Sequence, residues 1–300
     1  MTSESTTPHT VCVTNAKGGT GKTTVAINVA GALNRRGHDV LFVDLDPQGN
    51  ATEGLGLLDA YDRDPPTLFD AVTDARNREA IADLVVSHPE MDVVPSSVDL
   101  LQAEHELTVA DLMARLRRRS DVDVDPAALE PLAINASPAG VPGDHALDLV
   151  DRALGVVADD YDYVLIDSPP FYGNLTDAGL YASRNVLIPA LTEATSERAI
   201  ELLFDQIAAL ERRADITIRE VGVVANRVEA TNEDASMLEW FETVFTDVPV
   251  WEVRKRVALQ RSFSAGTSIF EYDASLDVAE TFDDIAAGLE REVSRPEVTA

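Results

Sequence analysis

A glycine-rich run near the amino terminus has the residue types that bind a triphosphate. Residues 17–24 read Lys-Gly-Gly-Thr-Gly-Lys-Thr-Thr, between an apolar run of strand length and a run with helical character. Glycines let backbone N–H groups curl around a phosphate, and the amino terminus of the following helix adds about half a positive charge at the same place. The general phosphate-loop pattern begins with one more glycine, where this chain has Ala16. The run predicts a nucleotide phosphate site with one departure from the pattern.

Each side chain of this run has an expected task. We expect Lys22 to reach the β- and γ-phosphates and the Thr23 hydroxyl to bind Mg²⁺, an ion that keeps most of its water ligands. Thr24 can donate to the α-phosphate. The backbone that lines the phosphates would come from Gly18, Gly19, Thr20 and Gly21.

Two carboxylates follow the next strand-like run. Residues 40–43 are Val-Leu-Phe-Val, followed by Asp44, Leu45 and Asp46, and then by Pro47 and Gly49, which end a strand. Alternation along a strand points Asp44 and Asp46 to one side. Two carboxylates at the carboxyl end of a strand, near a magnesium nucleotide, can hold metal-bound waters and orient an attacking water.

The extra lysine, Lys17, makes this loop resemble the deviant Walker A loop of the ParA/MinD superfamily. The resemblance implies that Lys17 crosses a dimer interface to the nucleotide of the partner. A cation delivered in this way couples sensing of the γ-phosphate to dimer formation and can stabilise charge in the transition state. The alternative is an additional phosphate contact within one chain.

Two further motifs are similar to those of the same family. Residues 44–50 resemble its switch I, which implies that Asp46 orients the water and Asp44 supports the magnesium shell; a solvated turn is the alternative. Residues 164–170 resemble Walker B with switch II. Asp167 would then accept a hydrogen bond from a magnesium-bound water or from Thr23.

The resemblance also includes residues that are expected to contact the base of the nucleotide. Asn226 ends a strand-like run and resembles the adenine-reading Asn of the family, although a turn residue is the alternative. From residue 248 to 273 the chain is similar to bacterial chromosome-partitioning members without a gap. Arg254 stands where those members usually have a proline beside the base, and an Arg can stack on adenine instead.

Strand-like apolar runs alternate with helical segments along the chain. This order predicts an α/β fold, a mainly parallel doubly wound sheet with helices on both faces, and the resemblance implies a P-loop NTPase of the SIMIBI-like class. The resemblance covers residues 10–119 and 146–290. We expect a disordered arm at 1–9, one ATPase domain at 10–295 with an irregular, proline-containing insertion at about 120–145, and a tail at 296–300.

The charge of the chain is extreme. Its 300 residues carry 53 acidic and 24 basic side chains, a formal net charge of −29, and only three lysines. A dense carboxylate surface is typical of proteins adapted to a salty cytoplasm. The alternative is an ordinary acidic protein whose composition reflects GC-rich codon bias. With one cysteine, Cys12, the chain cannot form an internal disulfide or a cysteine-based metal site. The polar amino terminus has no signal-peptide core and no apolar run has spanning length, so we expect a cytoplasmic protein.

These features together predict an ATP-binding and ATP-hydrolysing dimerisation switch. The resemblance implies that it serves chromosome or plasmid partitioning, or related cargo positioning, with slow hydrolysis and a stimulating ParB-like partner. The ATP homodimer would bind DNA non-specifically and be nucleoid-associated. The candidate DNA contacts are Arg254, Lys255, Arg256 and Arg261. Phosphate binding weakens steeply with salt, so a molar-salt cytoplasm opposes this contact.

Two other functions use the same loop. A MinD-like membrane-cycling regulator needs a C-terminal amphipathic helix with basic and bulky apolar residues, but residues 286–293 are acidic and short of bulky side chains, which makes membrane binding the weaker alternative. A metabolic ATP-dependent ligase or reductase is the other alternative. An iron–sulfur version would need bridging cysteines, and Cys12 is badly placed for that role.

Overall fold

Eight strands form one sheet in the described part of the chain. The computed structural model describes residues 7–118, 135, 146–170 and 172–295. The spatial order of the strands is β3-β4-β2-β5-β1-β6-β7-β8. Their bounds are β1 His9–Val13, β2 Val40–Asp44, β3 Val86–His88, β4 Met91–Val94, β5 Tyr163–Asp167, β6 Asn185–Leu191, β7 Arg219–Val228 and β8 Val250–Arg254.

Seven of these strands run parallel, and β3 pairs with β4 in the antiparallel sense. The central strands end in register. Asp167, the last residue of β5, lies opposite Val13 of β1 and Asp44 of β2. Ligands of open parallel sheets bind at the carboxyl ends of the strands, so this register brings the predicted loop and carboxylates to one edge.

Thirteen α-helices connect and cover the strands within the described residues. They are α1 Lys22–Arg35, α2 Asn50–Gly54, α3 Leu58–Tyr61, α4 Leu68–Thr73, α5 Ile81–Leu84, α6 Leu100–Arg118, α7 Asp148–Leu154, α8 Asn174–Ser183, α9 Thr195–Ala214, α10 Asn232–Val244, α11 Val257–Ser264, α12 Ile269–Asp273 and α13 Asp277–Val293.

Each face of the sheet has its own hydrophobic core. One core joins inward side chains of the sheet to α4, α6, α7, α8, α9 and α10, and the other joins the opposite side chains to α1, α12 and α13. A strand covered on both faces is apolar on both sides, which explains why all five residues of β2 and of β5 are buried. The mainly parallel, doubly wound α/β fold is confirmed.

Some elements differ from the sequence-based expectation. β1 begins at His9 rather than after it, and Thr14 and Asn15 lie beyond the strand. Helices α8, α11 and α12, the short helices α2 to α5 and the strand β3 were not predicted, because short elements carry little periodic signal and are stabilised by packing against the sheet. Apart from Asn135, the predicted insertion at 120–145 lies outside the described residues, as do residues 1–6 of the arm and the tail at 296–300. None of the helices described by the structure combines the length and the apolar character that a bilayer crossing requires.

Candidate functional site

The phosphate loop is the connection between β1 and α1. Gly19 and Gly21 have φ angles of 77° and 87°, in the left-handed region that glycine adopts without a side-chain clash. Gly21 directly precedes α1, whose first residue is Lys22. The loop therefore ends at the positive pole of the helix dipole, and it has the conformation expected of a phosphate cradle. Gly18 and the fully buried Thr20 complete the turn.

Lys22 is a buried cation behind this loop. Only 6% of the residue is exposed. Burial lowers the pKa of its ammonium group, while the carboxylates of Asp167 and Asp46 act in the opposite direction. The side chain is thus held beside two carboxylates at low dielectric, where an added phosphate would be strongly attracted to it.

Thr23 and Asp167 form the predicted pair across the sheet edge. Thr23 Oγ1 donates to Asp167 Oδ2 at 2.7 Å. The second carboxylate oxygen, Asp167 Oδ1, is buried and has no hydrogen-bond partner among the described residues. Burial, with the nearby charge of Asp44, raises the pKa of Asp167 well above its usual value. An unsatisfied buried carboxylate oxygen beside a hydroxyl fits a hard divalent cation such as Mg²⁺.

Asp44 is the last residue of β2 and is fully buried. Its Oδ2 accepts hydrogen bonds from the Thr52 amide at 2.8 Å and the Thr52 hydroxyl at 2.7 Å, and its Oδ1 accepts from the Asp46 amide at 3.2 Å. Burial raises its pKa to about 7, against the effect of the Thr52 bonds. Asp44 therefore holds in place the segment that carries Asp46. The predicted support of the magnesium shell by Asp44 stays a prediction.

Asp46 lies just beyond β2 and is 4% exposed. Its Oδ1 accepts from the Gln48 amide at 3.0 Å. Burial raises the pKa of Asp46, and the charge of Lys22 opposes this effect. A buried carboxylate with a raised pKa, within electrostatic reach of Lys22, has the properties of a group that orients and polarises a water molecule.

Three residues that the sequence reasoning missed hold this segment in place. Ser96 Oγ donates to the Asp46 carbonyl at 2.6 Å, and the Ser96 amide donates to Thr52 Oγ1 at 3.0 Å. The Tyr61 hydroxyl donates to the Pro47 carbonyl at 2.9 Å. Ser96 follows β4, the neighbour of β2, so only the strand order could have revealed it.

Lys17 points away from the loop that it begins. Its Nζ contacts Glu193 Oε2 at 2.7 Å and Thr195 Oγ1 at 2.6 Å, on the segment that follows β6. The side chains of Lys17 and Glu193 are 26% and 54% exposed. The ammonium group thus lies at the surface, at the carboxyl edge of the sheet. Its two partners were also not predicted.

A cleft of about 800 Å³ adjoins the loop at Thr24, and Glu193, the partner of Lys17, also lines it. Its walls include Thr24, Asn226 and Arg254, together with Phe263 from α11. Thr24, in the first turn of α1, is therefore close to the loop and part of the wall of the cleft. Asn226 is buried and hydrogen-bonds to the loop, whereas Arg254 is exposed on the edge strand β8. Their predicted contacts with the base remain predictions.

The four candidate DNA contacts differ in their surroundings. Lys255 pairs with Glu229 at 2.7 Å, and Arg256 pairs with Asp277. Arg254 and Arg261 are exposed and lie within 4.0 Å of no carboxylate in the described part of the chain. Two of the four cations are therefore already partnered, which sequence alone does not show.

Comparison with known proteins identifies the family. The model described as the CobQ/CobB/MinD/ParA nucleotide binding domain matches residues 11–269. The sporulation initiation inhibitor protein Soj of Bacillus subtilis is 31% identical over 278 residues, which cover 92% of this chain and 96% of Soj. The chromosome partitioning protein ParA of Myxococcus xanthus is 30% identical over 278 residues, 91% of this chain and 84% of that protein.

A solved structure shows the same fold. The ATP complex of a Cyanothece McdA variant superposes with a TM-score of 0.74 at 20% identity, over 95% of this chain and 97% of that chain. The family match spans the loop, both carboxylate segments and Asn226. The chain therefore belongs to the CobQ/CobB/MinD/ParA family of nucleotide-binding domains and, within it, to the ParA/Soj type.

Proposed function

We propose that this protein is an ATP-binding and ATP-hydrolysing dimerisation switch that serves DNA partitioning, of a chromosome or a plasmid, or related positioning of a cargo. Its relatives include proteins named for sporulation control and for chromosome partitioning. The observation that carries the proposal is the position of Lys17. Its ammonium group lies at the surface, at the carboxyl edge of the sheet, and pairs with Glu193.

Two lysines flank the loop, and they have different environments. Lys22 is buried behind the loop and supplies the phosphate cation within the subunit. Lys17 is partly exposed, and its partner Glu193 is more than half exposed. An exposed ion pair of this kind is worth about 0–1 kcal/mol, so it can be exchanged for a stronger contact with a phosphate of the partner subunit. Nucleotide state would then control pairing.

The site fits Mg²⁺ and ATP. Thr23 Oγ1 and the unsatisfied Asp167 Oδ1 would hold the ion through its first shell or its waters, and Asp44 would support that shell. When bound, Mg²⁺ neutralises charge on the β- and γ-phosphates. Lys22 binds the same phosphates, and the backbone of residues 18–21 orients them. Asp46 orients the attacking water, and the trans lysine stabilises charge in the transition state.

The decisive experiment is sizing by light scattering in molar KCl. The Asp46→Ala variant, with hydrolysis blocked, should form dimers with Mg·ATP and stay monomeric with ADP or with EDTA. The double variant Lys17→Ala, Asp46→Ala should bind ATP yet remain monomeric. Single subunits of the Asp46→Ala variant at every protein concentration, with ATP bound, would refute the proposed switch.

The proposal includes partners and location. A ParB-like protein would stimulate hydrolysis, and non-specific DNA would bind the ATP dimer through Arg254 and Arg261, with weaker contributions from Lys255 and Arg256. We place the protein in the cytoplasm, associated with the nucleoid when it binds DNA. Pairing of two subunits doubles the number of exposed arginines on one particle, which favours DNA binding against the acidic background.

The alternatives have less support. Membrane cycling needs an amphipathic helix with a free apolar face, whereas the apolar side chains Phe282, Ile285 and Leu289 of α13 are buried in the core. An ATP-dependent pelleting assay with anionic liposomes tests this alternative. An iron–sulfur reductase would need an accessible thiolate, whereas Cys12 is fully buried and burial raises its pKa to about 12.

A further inference from the structure

A glutamate of α6 binds the amino terminus of α8. Glu104 Oε2 accepts from the Asn174 amide at 2.7 Å, and Glu104 Oε1 accepts from the Leu175 amide at 2.8 Å. The first N–H groups of a helix need acceptors from outside that helix. The residue at the N-cap of α8 is Gly173, which has no side chain to supply one. Helix α8 therefore takes its cap from another helix.

The backbone at Gly173 would also accept an ordinary capping residue. Its φ of −160° and ψ of 175° are extended, and Ser, Thr, Asp or Asn is common at such a position. A Cβ added to Gly173 would lie 2.4 Å from Glu104 Oε1, so the carboxylate of Glu104 occupies the space of a local cap. Unlike a local cap, this arrangement also ties α6 to α8.

The entry to α6 contacts the carboxylate segment after β2. Ser96 Oγ donates to the Asp46 carbonyl at 2.6 Å. The chain between Ser96 and Glu104 is short and is stiffened by turn hydrogen bonds, including one from the Leu100 amide to the Ser97 carbonyl at 3.1 Å. One end of this stretch thus holds Asp46, and the other end holds α8.

Helix α8 contacts the same carboxylate segment at a second point. It is the first α-helix after β5, the strand that ends at Asp167. A Cβ added to Gly179 of α8 would lie 3.2 Å from Leu45 Cδ2, so the helix packs directly on the residue between Asp44 and Asp46. Helices α6 and α8 therefore both hold this segment, and Glu104 joins the two helices.

We propose that Glu104 is a positioning residue for ATP hydrolysis, because it joins α6 to α8 and so holds Asp46 where it can orient the attacking water. The inference rests on the proposed ATPase activity and adds a residue that acts through others. A displacement of about 1 Å at an orienting group lowers the rate steeply. ATP binding depends instead on the phosphate loop and Lys22. Glu104 should therefore affect turnover more than ATP affinity.

A second substitution separates positioning from capping. Glu104→Ala removes both the cap of α8 and the tie to α6. The double variant Glu104→Ala, Gly173→Asp places a capping carboxylate on α8 itself, in the space that Glu104 leaves. This double variant restores the cap and the charge but not the tie between the helices.

Phosphate release at saturating Mg·ATP, titration calorimetry and thermal melts, all in molar KCl, measure the effects. We expect Glu104→Ala to lower kcat at least about tenfold, with ATP affinity within about threefold of wild type. The double variant should regain the thermal midpoint of wild type while its kcat stays low. If kcat recovers together with the midpoint, Glu104 is only a helix cap and the inference is wrong.

A milder variant keeps the inference testable if the double variant does not regain its midpoint. Glu104→Gln keeps the length of the side chain and one acceptor, but its NH₂ group faces a backbone N–H in place of the second acceptor. A positioning role predicts a lowered kcat with ATP affinity retained. A kcat equal to that of wild type, at a lowered thermal midpoint, contradicts the inference.

The matched control is a glutamate that makes a similar bond at the other edge of the sheet. Glu211 of α9 accepts from the Ile218 amide at 2.9 Å, just before β7 begins. Glu211→Ala should lower the thermal midpoint and leave kcat unchanged. An equal loss of kcat in this control would show that the rate follows general stability, which also overturns the inference. A wild-type chain that binds ATP but releases no phosphate refutes the proposed hydrolysis itself.

Discussion

Lys17 Nζ lies 2.7 Å from Glu193 Oε2, although 176 positions separate the two residues in the chain. β6, the strand before Glu193, is the neighbour of β1, the strand before Lys17. The pair therefore forms where two adjacent parallel strands end. This ion pair holds Lys17 outside the phosphate cradle of its own subunit.

The two loop lysines should separate binding from pairing. Lys22→Ala removes a buried phosphate cation, so we expect ATP affinity to fall by about a hundredfold or more. Lys17→Ala should keep ATP affinity within about threefold of wild type, because an exposed pair contributes little in the monomer. Titration calorimetry measures the ATP affinity of both variants. A hundredfold loss in Lys17→Ala would mean that this lysine binds the nucleotide of its own subunit.

Asp46 should be required for hydrolysis but not for binding. Asp46→Ala removes the carboxylate that orients water, a contribution of about 10² to 10⁴ in rate. We expect phosphate release to fall at least about a hundredfold while Mg·ATP still binds. Asp159→Ala, at an exposed aspartate before β5, serves as the charge-matched control. If Asp46→Ala hydrolyses ATP like the parent, the assignment of the water-orienting residue is wrong.

The unpaired arginines should dominate any DNA contact. Arg254→Ala and Arg261→Ala should each reduce ATP-dependent DNA co-sedimentation more than Lys255→Ala, because Lys255 already pairs with Glu229. Each lost phosphate contact should also lower the slope of log affinity against log salt by about one. Equal losses from all three variants, or binding that is independent of ATP, would contradict this assignment.

Lowering the pH should destabilise the loop between β7 and α10, because it protonates Asp234. This buried carboxylate, in the first turn of α10, accepts hydrogen bonds from Thr192 and from the amide and hydroxyl of Thr231. The Thr192 bond, followed by the Thr231 amide, lowers its pKa from 3.8 to about 2. A lowered pKa contributes stability above pH 3.8 that is lost as pH falls through about 2.

Denaturant unfolding from pH 6 to pH 2 tests this expectation. The difference in unfolding free energy between wild type and Asp234→Asn should be largest above pH 4 and should shrink toward pH 2. A difference that does not change with pH would show that the stability of this loop does not depend on the carboxylate charge. The comparison with a variant removes the contribution of the other acidic groups.

Salt should stabilise the folded chain. With a net charge of −29, self-repulsion between carboxylates favours expansion, and screening weakens it. We expect the thermal midpoint to fall on dialysis from molar KCl into dilute buffer, followed by circular dichroism. Sucrose at equal osmolality is the control for a non-ionic effect. An unchanged spectrum and midpoint in dilute buffer would argue against adaptation to high salt.

Much of the phosphate site was predictable from local sequence. The loop at residues 17–24 and the carboxylates Asp44, Asp46 and Asp167 each lie within a few positions of an apolar strand, so residue order alone indicates their place at the carboxyl edge. The alternation of strands and helices predicted the parallel sheet for the same reason: the signal is contained in short, contiguous stretches.

The partners of these residues depended on the tertiary structure. Glu193 beside Lys17, Ser96 beside Asp46 and Asn226 beside Thr20 come from strands that are distant in the chain. Strand order determines which loops meet, and that order follows from the packing of two cores against the whole sheet rather than from any local pattern. Residue types thus indicated the chemistry, whereas the contacts that hold each group in position were decided by the fold.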